Sequence, residues 1–202
     1  MVLDEYIQSL IAYKGFAGDI VCRKTLPASR PEFATKKLHL ANDMTAILKS
    51  LGIKKLYRHQ NEAVNQILKG RHTVIATPTA SGKSLIYNLP VIDSLVTDPE
   101  SHALYLFPLK ALARDQLDAV QRMLRLAGQI DKSAPQFTAA VYDGDISAYQ
   151  KAKIRKAPPH ILLSNPEMLH LAMLAHHHLW EDYFRKLKYI VVDEVHTYRG
   201  VM

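Results

Sequence analysis

From about Tyr57 onward, short apolar runs alternate with longer segments of helical periodicity. This alternation predicts crossover units, in which each strand is followed by a helix that returns the chain to a parallel neighbour. Because the runs are apolar on both faces, we expect an α/β fold in which a parallel β-sheet is sandwiched by helices. The predicted strands are 72–77, 103–107, 137–142, 160–164 and 188–194, and the predicted helices are 59–69, 83–96, 109–127, 147–156, 166–175 and 178–187.

Residues 1–55 lack this alternation and are predicted to form a small, mostly helical N-terminal extension. One short apolar-periodic helix is expected over 4–12 and a second over 42–51, which ends before Gly52. The proline- and arginine-bearing stretch between them is typical of irregular structure. The sequence therefore predicts two parts, an extension at 1–55 and an α/β domain at 56–202.

Composition and charge limit the classes of protein to which the chain can belong. Of the 202 residues, 48% are apolar and 22% are charged, which is ordinary for a globular domain and argues against disorder. The single cysteine cannot form an internal disulfide, no apolar stretch reaches the roughly 18–20 residues of a membrane helix, and the N-terminus lacks the features of a secretory signal. We therefore expect a soluble, cytoplasmic protein without a membrane partner. The net charge of +7 is compatible with a polyanionic partner.

The most informative segment is TVIATPTASGKSLIYNLPVI, in which an apolar run enters the turn Ser-Gly-Lys-Ser (81–84) and a helix follows. A loop of this kind points backbone N–H groups at phosphate oxygens, and the helix adds the positive end of its dipole. In this order of elements, Lys83 can reach the β- and γ-phosphates of a nucleotide and the Ser84 hydroxyl can bind Mg²⁺. Thr77 stands where the strict pattern has its first glycine. The alternative is therefore a tight turn with an exposed lysine.

A second segment, YIVVDE (189–194), ends an apolar run in two consecutive carboxylates. In a parallel sheet the carboxyl ends of the strands meet at one edge, where ligands bind. Asp193 can therefore hold Mg²⁺ opposite Ser84, and Glu194 can polarise the attacking water as a general base. A charged strand end that meets solvent explains one acid easily, but it explains two acids in a chain with a Gly-Lys-Ser turn less well. Together the two segments predict that the chain binds a nucleotide by its phosphate tail.

These segments and several others, in the same order, resemble the motifs of superfamily-two helicases. TPTASGKS (77–84) and DEVH (193–196) are similar to motifs I and II, and HQNEA (59–63) is similar to the Q motif. LFPLKALARDQ, YDGD and LLSNPEMLH resemble motif Ia, the glycine motif that follows it and motif Ib. Over about residues 56–202 the sequence of these motifs is similar to that of one branch, which contains the mitomycin-repair-type and RecQ-four-like DNA helicases.

The resemblance implies the first RecA-like lobe of an ATP-dependent helicase of the DNA-repair type, with ATP and Mg²⁺ as cofactors and DNA favoured over RNA as partner. It implies that Gln60 binds the adenine edge, for which a side-chain amide has the required donor and acceptor. Tyr57, where RecQ proteins place an arginine, is a candidate to stack on adenine. The other residues that the motifs assign are Thr79, Ala80, Ser81, Gly82, Lys83 and Ser84 for the nucleotide, Lys110, Asp143, Gly144, Asn165 and Glu167 for the nucleic-acid backbone, and His196 for coupling to later motifs.

The same resemblance raises expectations about the rest of the motor and the sheet. A helicase of this family has a second RecA-like lobe that supplies an arginine finger, so we do not expect these 202 residues to unwind DNA alone. In related lobes a further strand lies between the strands of motifs I and II. We expect this gap to be closed by direct re-pairing, filled by another segment, or filled by a second chain in a strand-sharing homo-oligomer. The alternative function is a non-motor module that binds nucleic acid or a partner and has a vestigial nucleotide site.

Overall fold

The structure is a computed structural model that describes residues 3–13, 15, 22, 24, 30–40, 44–78, 81–130 and 136–198. The chain divides into two compact units, 1–32 and 33–202. In the first unit, helix α1 spans Leu3–Ala12, close to the predicted 4–12. The second unit contains the sheet and the other helices. The assignment of 1–55 as a separate extension stays a prediction.

Four parallel strands form the sheet in the order β2-β3-β1-β4. They are β1 (His102–Leu106), β2 (Ala139–Val141), β3 (Ile161–Ser164) and β4 (Leu187–Val192). The register aligns Leu106 with both Ser164 and Val192. The residues that follow β1, β3 and β4 therefore leave the sheet at the same edge. The predicted parallel sheet is confirmed, with four of its five predicted strands.

Helices connect the strands and cover the sheet. They are α2 (Thr45–Ser50), α3 (Arg58–Leu68), α4 (Lys83–Thr97), α5 (Lys110–Ile130), α6 (Ala148–Lys156), α7 (Pro166–Met168) and α8 (Glu181–Arg185). The predicted helices over 166–175 and 178–187 are less regular than expected, because a π-helical turn (Leu169–Leu174) continues α7 and a 3₁₀ turn (His177–Trp180) precedes α8. A further 3₁₀ turn spans Val195–Thr197. Across the described ranges, no helix combines the length and the apolar character that crossing a membrane requires.

The central strand β1 contributes to two hydrophobic layers, one on each face of the sheet. Tyr105 and Phe107 belong to the larger layer, together with buried side chains of α2, α3, α4 and α5. Leu104 belongs to the smaller layer, with Trp180 and Tyr183. Successive side chains of a strand point to opposite faces, so this division is what a run that is apolar on both faces predicts.

The predicted strand over 72–77 is wrong, because residues 71–78 form neither helix nor strand. Val74 is 89% exposed, although the adjacent Ile75 packs against the larger core layer. The physical reason is the lack of a neighbour. An extended segment becomes a strand only where a second segment accepts and donates its ladder hydrogen bonds.

The edge of the sheet beside β4 tests two of the three expectations about the gap between the strands of motifs I and II. Within the part of the chain that the structure describes, β4 pairs with β1 alone, and the sheet ends there. Neither direct re-pairing with 72–78 nor filling by another described segment is therefore observed. A strand-sharing homo-oligomer stays a prediction.

Candidate functional site

The turn before α4 is built around a glycine in the left-handed backbone region. Gly82 is the N-cap residue of α4 and has a φ of +75°, which residues with a Cβ rarely adopt. A Cβ at Gly82 would also overlap with Gln60 Nε2, so the Gln60 side chain would have to move. The backbone conformation therefore requires glycine, and the Gln60 contact adds to the cost of a side chain at this position. The Leu85 N–H of the first turn of α4 donates to the Gly82 carbonyl oxygen (3.2 Å). In general, the first N–H groups of a helix have no carbonyl one turn earlier, which is the property that anion-binding helix ends use.

Gln60 joins this turn to α3. Its Nε2 atom donates to the carbonyl oxygens of Gly82 (3.1 Å) and Ser81 (3.4 Å), and its Oε1 atom accepts from the Tyr57 N–H (2.9 Å). The His59 Nε2 atom lies 3.2 Å from the same Ser81 oxygen. Because both N–H groups of the buried Gln60 amide face carbonyl groups, a contact with adenine would have to replace one of these bonds.

Lys83 contacts the residue at which the loop begins. Its Nζ atom donates to the Thr77 carbonyl oxygen (3.2 Å), and the hydroxyl oxygens of Thr77 and Ser81 lie 2.7 Å apart. The loop therefore curls back on the start of α4, as a phosphate loop does. Thr79 and Ala80 lie outside the described residues.

The acids that follow β4 meet α4 at a residue that sequence reasoning missed. The hydroxyl of Tyr87, one turn after Ser84 on α4, lies 3.4 Å from Asp193 Oδ2. The other carboxylate oxygen, Asp193 Oδ1, accepts from the Glu194 N–H (2.9 Å). Asp193 thus contacts the helix that begins at the phosphate loop, one turn after Ser84. The only signal in the sequence was the spacing of three residues, which places Ser84 and Tyr87 on one face of the helix.

Beyond Asp193, the chain turns sharply. Glu194 has a left-handed backbone with a φ of +49°, and its carbonyl oxygen accepts from both the N–H (2.9 Å) and the hydroxyl (2.8 Å) of Thr197. The exposed side chain of His196 lies with Nδ1 3.3 Å from Glu194 Oε2. Burial and the nearby charges of Asp193 and Glu194 raise the pKa of Tyr198 to about 12. The two carboxylates therefore share a partly desolvated region.

A cavity of about 530 Å³ lies beside the loop, in the second unit. Its lining residues are Phe33, Gly52, Ile53, Lys54, Lys55, Tyr57, Gln60 and Leu85. The Tyr57 ring stacks on Phe33 and on His59, with ring centroids 5.4 Å and 5.7 Å apart. A cavity with aromatic and cationic groups suits a nucleobase that carries phosphates. Sequence reasoning missed Phe33, because nothing near it in the chain marks it as a neighbour of Tyr57.

The residues predicted to face a nucleic acid gather near the carboxyl ends of β1, β2 and β3. Lys110, Asp143 and Asn165 line one small pocket, and a Cβ at Gly144 would lie 3.7 Å from Lys110 Nζ. Asn165 also caps α7, since its Oδ1 atom accepts from a backbone N–H three residues later (2.8 Å). Glu167 follows in the first turn of α7.

Two further residues of this region were not singled out from the sequence. Asp145 pairs with Lys110 Nζ (2.5 Å) and with Arg114 Nη2 (3.1 Å). The hydrogen bond between Lys110 and Asp145 raises the pKa of Lys110 and lowers the pKa of Asp145. Asp143 is buried, and its Oδ1 atom accepts the N–H groups of Asp145 (2.9 Å) and Ile146 (3.2 Å). Its carboxylate therefore holds the turn that presents Asp145.

The order of these elements agrees with a comparison of the chain with known protein families. The DEAD/DEAH box helicase family matches residues 57–201. The chain belongs to the DEAD/DEAH box helicase family. The resemblance to superfamily-two helicases of the mitomycin-repair and RecQ-like type is confirmed, and nothing supports the alternative of a non-motor module.

Individual relatives of this DEAD/DEAH box chain are much longer than 202 residues. It is 49% identical to the uncharacterized ATP-dependent helicase YprA of Bacillus subtilis over 156 aligned residues. The aligned region is 77% of this chain and 20% of YprA. It is 35% identical to the ATP-dependent helicase HRQ1 of Saccharomyces cerevisiae over an alignment of 202 residues. That alignment covers 98% of this chain and 18% of HRQ1. The chain therefore spans about a fifth of the length of these relatives.

Solved helicase structures share the fold. The crystal structure of the DUF1998 helicase MrfA bound to DNA has a TM-score of 0.81 and 40% sequence identity, over 99% of this chain and 27% of MrfA. MrfA bound to DNA and AMPPNP has a TM-score of 0.77 and 43% identity, over 85% of this chain and 23% of that chain. These matches confirm the RecA-like fold of a helicase lobe.

Proposed function

We propose that this chain is the first ATP-binding lobe of a DNA helicase with a role in DNA repair, and that it binds Mg-ATP and the nucleic-acid backbone. The observation that carries the proposal is the contact of Asp193 with the Tyr87 hydroxyl one turn after Ser84, which joins the helix of the phosphate loop to the acid that follows β4. Further support comes from MrfA, which was crystallised with DNA and AMPPNP. Unwinding requires a second RecA-like lobe, and the cytoplasmic location stays a sequence-based prediction.

In the proposed complex, the nucleotide lies along the loop and the cavity beside it. The backbone N–H groups of 79–84 and the Lys83 ammonium bind the β- and γ-phosphates. Since Lys83 Nζ already reaches across the loop to the Thr77 carbonyl, only a local exchange of partners is needed. The base stacks on Tyr57 in the cavity, and the Gln60 amide exchanges one carbonyl partner for the adenine edge.

The side chains at the loop fit a magnesium ion. The Ser84 hydroxyl and the Asp193 carboxylate are oxygen donors, and Mg²⁺ is usually held by one or two carboxylates together with phosphate oxygens and water. In keeping with this pattern, the described residues contain no group of three or more His, Cys, Asp or Glu that could hold a metal by themselves. When bound, the ion neutralises charge on the phosphates.

The remaining residues have distinct proposed roles. Glu194, which follows Asp193 in a left-handed turn, acts as general base towards the attacking water. His196, beside Glu194 Oε2, relays the state of the nucleotide site to other parts of the motor. The nucleic-acid backbone lies across the edge of the sheet at Lys110, Asp143, Gly144, Asn165 and Glu167, and Arg114 adds a second cation there.

The test is the affinity for a fluorescent ATP analogue with and without Lys83→Ala. We expect Mg²⁺-dependent binding by the wild type and at least about tenfold weaker binding by the variant, because charged hydrogen bonds to phosphate are lost. Lys151→Ala, on helix α6, removes a lysine outside the site and should leave binding unchanged. Equal, weak binding by the wild type and Lys83→Ala would contradict the proposal.

A further inference from the structure

The Tyr87 hydroxyl has more partners than it has protons. Its oxygen lies 3.4 Å from Asp193 Oδ2 and 3.3 Å from Gln116 Oε1. A hydroxyl donates one hydrogen bond and accepts up to two. Two oxygen acceptors therefore compete for one proton, and both distances are long for an O–H···O bond, as sharing predicts.

The competition has a preferred outcome. A carboxylate is a stronger acceptor than an amide oxygen, so the Tyr87 proton is donated mainly to Asp193. Asp193 is one of the two side chains of the proposed magnesium site. The other, Ser84, lies one turn before Tyr87 on α4.

The position of the Tyr87 ring is fixed by its surroundings. It packs edge-on against Tyr105, with ring centroids 5.3 Å apart, and the buried Tyr105 hydroxyl donates to Asn88 Oδ1 (2.9 Å). A phenol has an ordinary pKa of about 10, so the Tyr87 hydroxyl carries a proton that it can donate at neutral pH.

We propose that Tyr87 is a positioning residue of the magnesium site, whose hydroxyl fixes the Asp193 carboxylate relative to the helix that carries Ser84. This inference rests on the proposed function. Asp193 Oδ1 is held by the Glu194 N–H and Oδ2 by Tyr87, so both carboxylate oxygens have a set direction before a ligand arrives. Without the Tyr87 hydroxyl, Asp193 loses one of these two restraints. The carboxylate must then be ordered when the ion binds, which weakens the binding of the ion.

The experiment compares Tyr87→Phe with Tyr105→Phe, which removes a buried hydroxyl from the neighbouring ring but not from the magnesium site. The affinity of the full chain for a fluorescent ADP analogue is measured in Mg²⁺ and in EDTA, and the binding of Mn²⁺ in the presence of ADP is followed by electron paramagnetic resonance. For Tyr87→Phe we expect affinity in EDTA within about twofold of the wild type, and a gain on adding Mg²⁺ that is about tenfold smaller, the effect of one hydrogen bond to a charged group. Mn²⁺ affinity should fall by the same factor. Tyr105→Phe should keep the wild-type gain.

A double-mutant cycle with Asp193→Asn distinguishes positioning from a general loss of structure. If Tyr87 acts through Asp193, Tyr87→Phe should cost little further Mg²⁺ dependence in the Asp193→Asn background. The proposal is overturned if Tyr87→Phe keeps the wild-type gain from Mg²⁺, or if it weakens binding equally in Mg²⁺ and EDTA. Failure of the underlying function gives a different result, since the wild type itself would then show no Mg²⁺-dependent binding.

Discussion

At the scale of single residues, the candidate phosphate loop depends on the contact between Gly82 and Gln60. The glycine supplies a backbone conformation with a positive φ, and its missing side chain leaves space for the Gln60 amide. The amide in turn fixes the loop carbonyls, so the N–H groups of the next residues point away from them. One contact between α3 and α4 therefore sets the shape of the loop.

Gly82→Ala should destabilise the protein more than a glycine substitution elsewhere. A left-handed backbone costs a residue with a Cβ about 1–2 kcal/mol, and here the Cβ would also displace Gln60. Gly70 is the matched control, because its φ is +74° but a Cβ there would meet nothing within 4 Å. We expect thermal unfolding of Gly82→Ala below that of Gly70→Ala, and weaker nucleotide binding only for Gly82→Ala. Equal effects of the two substitutions would show that the Gln60 contact is unimportant.

Asp145 forms ion pairs with two cations near the residues that are proposed to contact the nucleic acid. Its carboxylate pairs with Lys110 and Arg114, so Asp145→Asn should free Lys110 for a nucleic-acid phosphate. Arg114 loses the closer of its two carboxylates and keeps Asp143 Oδ2 at 3.9 Å. We expect binding of a labelled single-stranded oligonucleotide to tighten about two- to fivefold at low salt, the size of an exposed ion pair. Asp182→Asn, which breaks the exposed pair with Arg185, changes the net charge equally and is the control. Weaker binding by Asp145→Asn would mean that Asp145 orients the cations instead of blocking them.

At the scale of helices and strands, local patterns predicted most of the fold. The strands β1, β3 and β4 and the helices α3 to α6 lie within a few residues of their predicted bounds, because their periodicity is a property of the local sequence. The run at 72–77 has the same composition but lacks a partner, and composition carries no information about partners. Tyr87, Phe33 and Asp145 escaped prediction for a related reason. Each is defined by a contact with a residue far away in the chain.

Two partly buried histidines at the starts of β1 and β3 should make the stability of the protein depend on pH. His102 and His160 lie at these starts, and burial lowers the pKa of both. The His160 Nδ1 atom accepts from the Thr138 N–H (3.1 Å), which only a neutral ring can do. In the unfolded chain the histidines have their ordinary pKa of about 6.5, so at a pH just below this value the unfolded chain binds more protons than the native state. The free energy of unfolding should therefore fall as the pH decreases through about 6.5.

Urea unfolding at about pH 7.5 and about pH 5.5, on either side of the ordinary histidine pKa, measures this effect. His160→Asn keeps an acceptor near the Thr138 N–H but does not titrate, so its unfolding free energy should change less between the two pH values than that of the wild type. The exposed His177 is the control, and His177→Asn should retain the wild-type pH dependence. An unchanged pH dependence in His160→Asn would assign the effect to other groups.

At the scale of the whole molecule, both proposed sites lie at the same edge of the sheet, and α5 is common to both. The helix begins at Lys110, carries Arg114 in its second turn, and reaches the Tyr87 hydroxyl through Gln116. The nucleotide side and the nucleic-acid side of the sheet are therefore joined by one rigid element.

The division of the chain predicts where it can be shortened. All described members of the larger core layer lie at or after residue 38, whereas residues 33–55 contribute the buried Met44 and Ile47 and a hydrogen bond from Asn61 Nδ2 to the Lys36 carbonyl (3.0 Å). A chain that starts at Phe33 should therefore keep its unfolding temperature within about 4 °C of the full chain, the shift that 1 kcal/mol produces in a domain of this size. A chain that starts at Leu56 loses two core side chains at about 2–5 kcal/mol each, a large part of the total stability, and should unfold or aggregate. Circular dichroism of both chains checks this, and a stable, cooperatively folded chain from Leu56 would support the boundary at 55/56 that the sequence predicts.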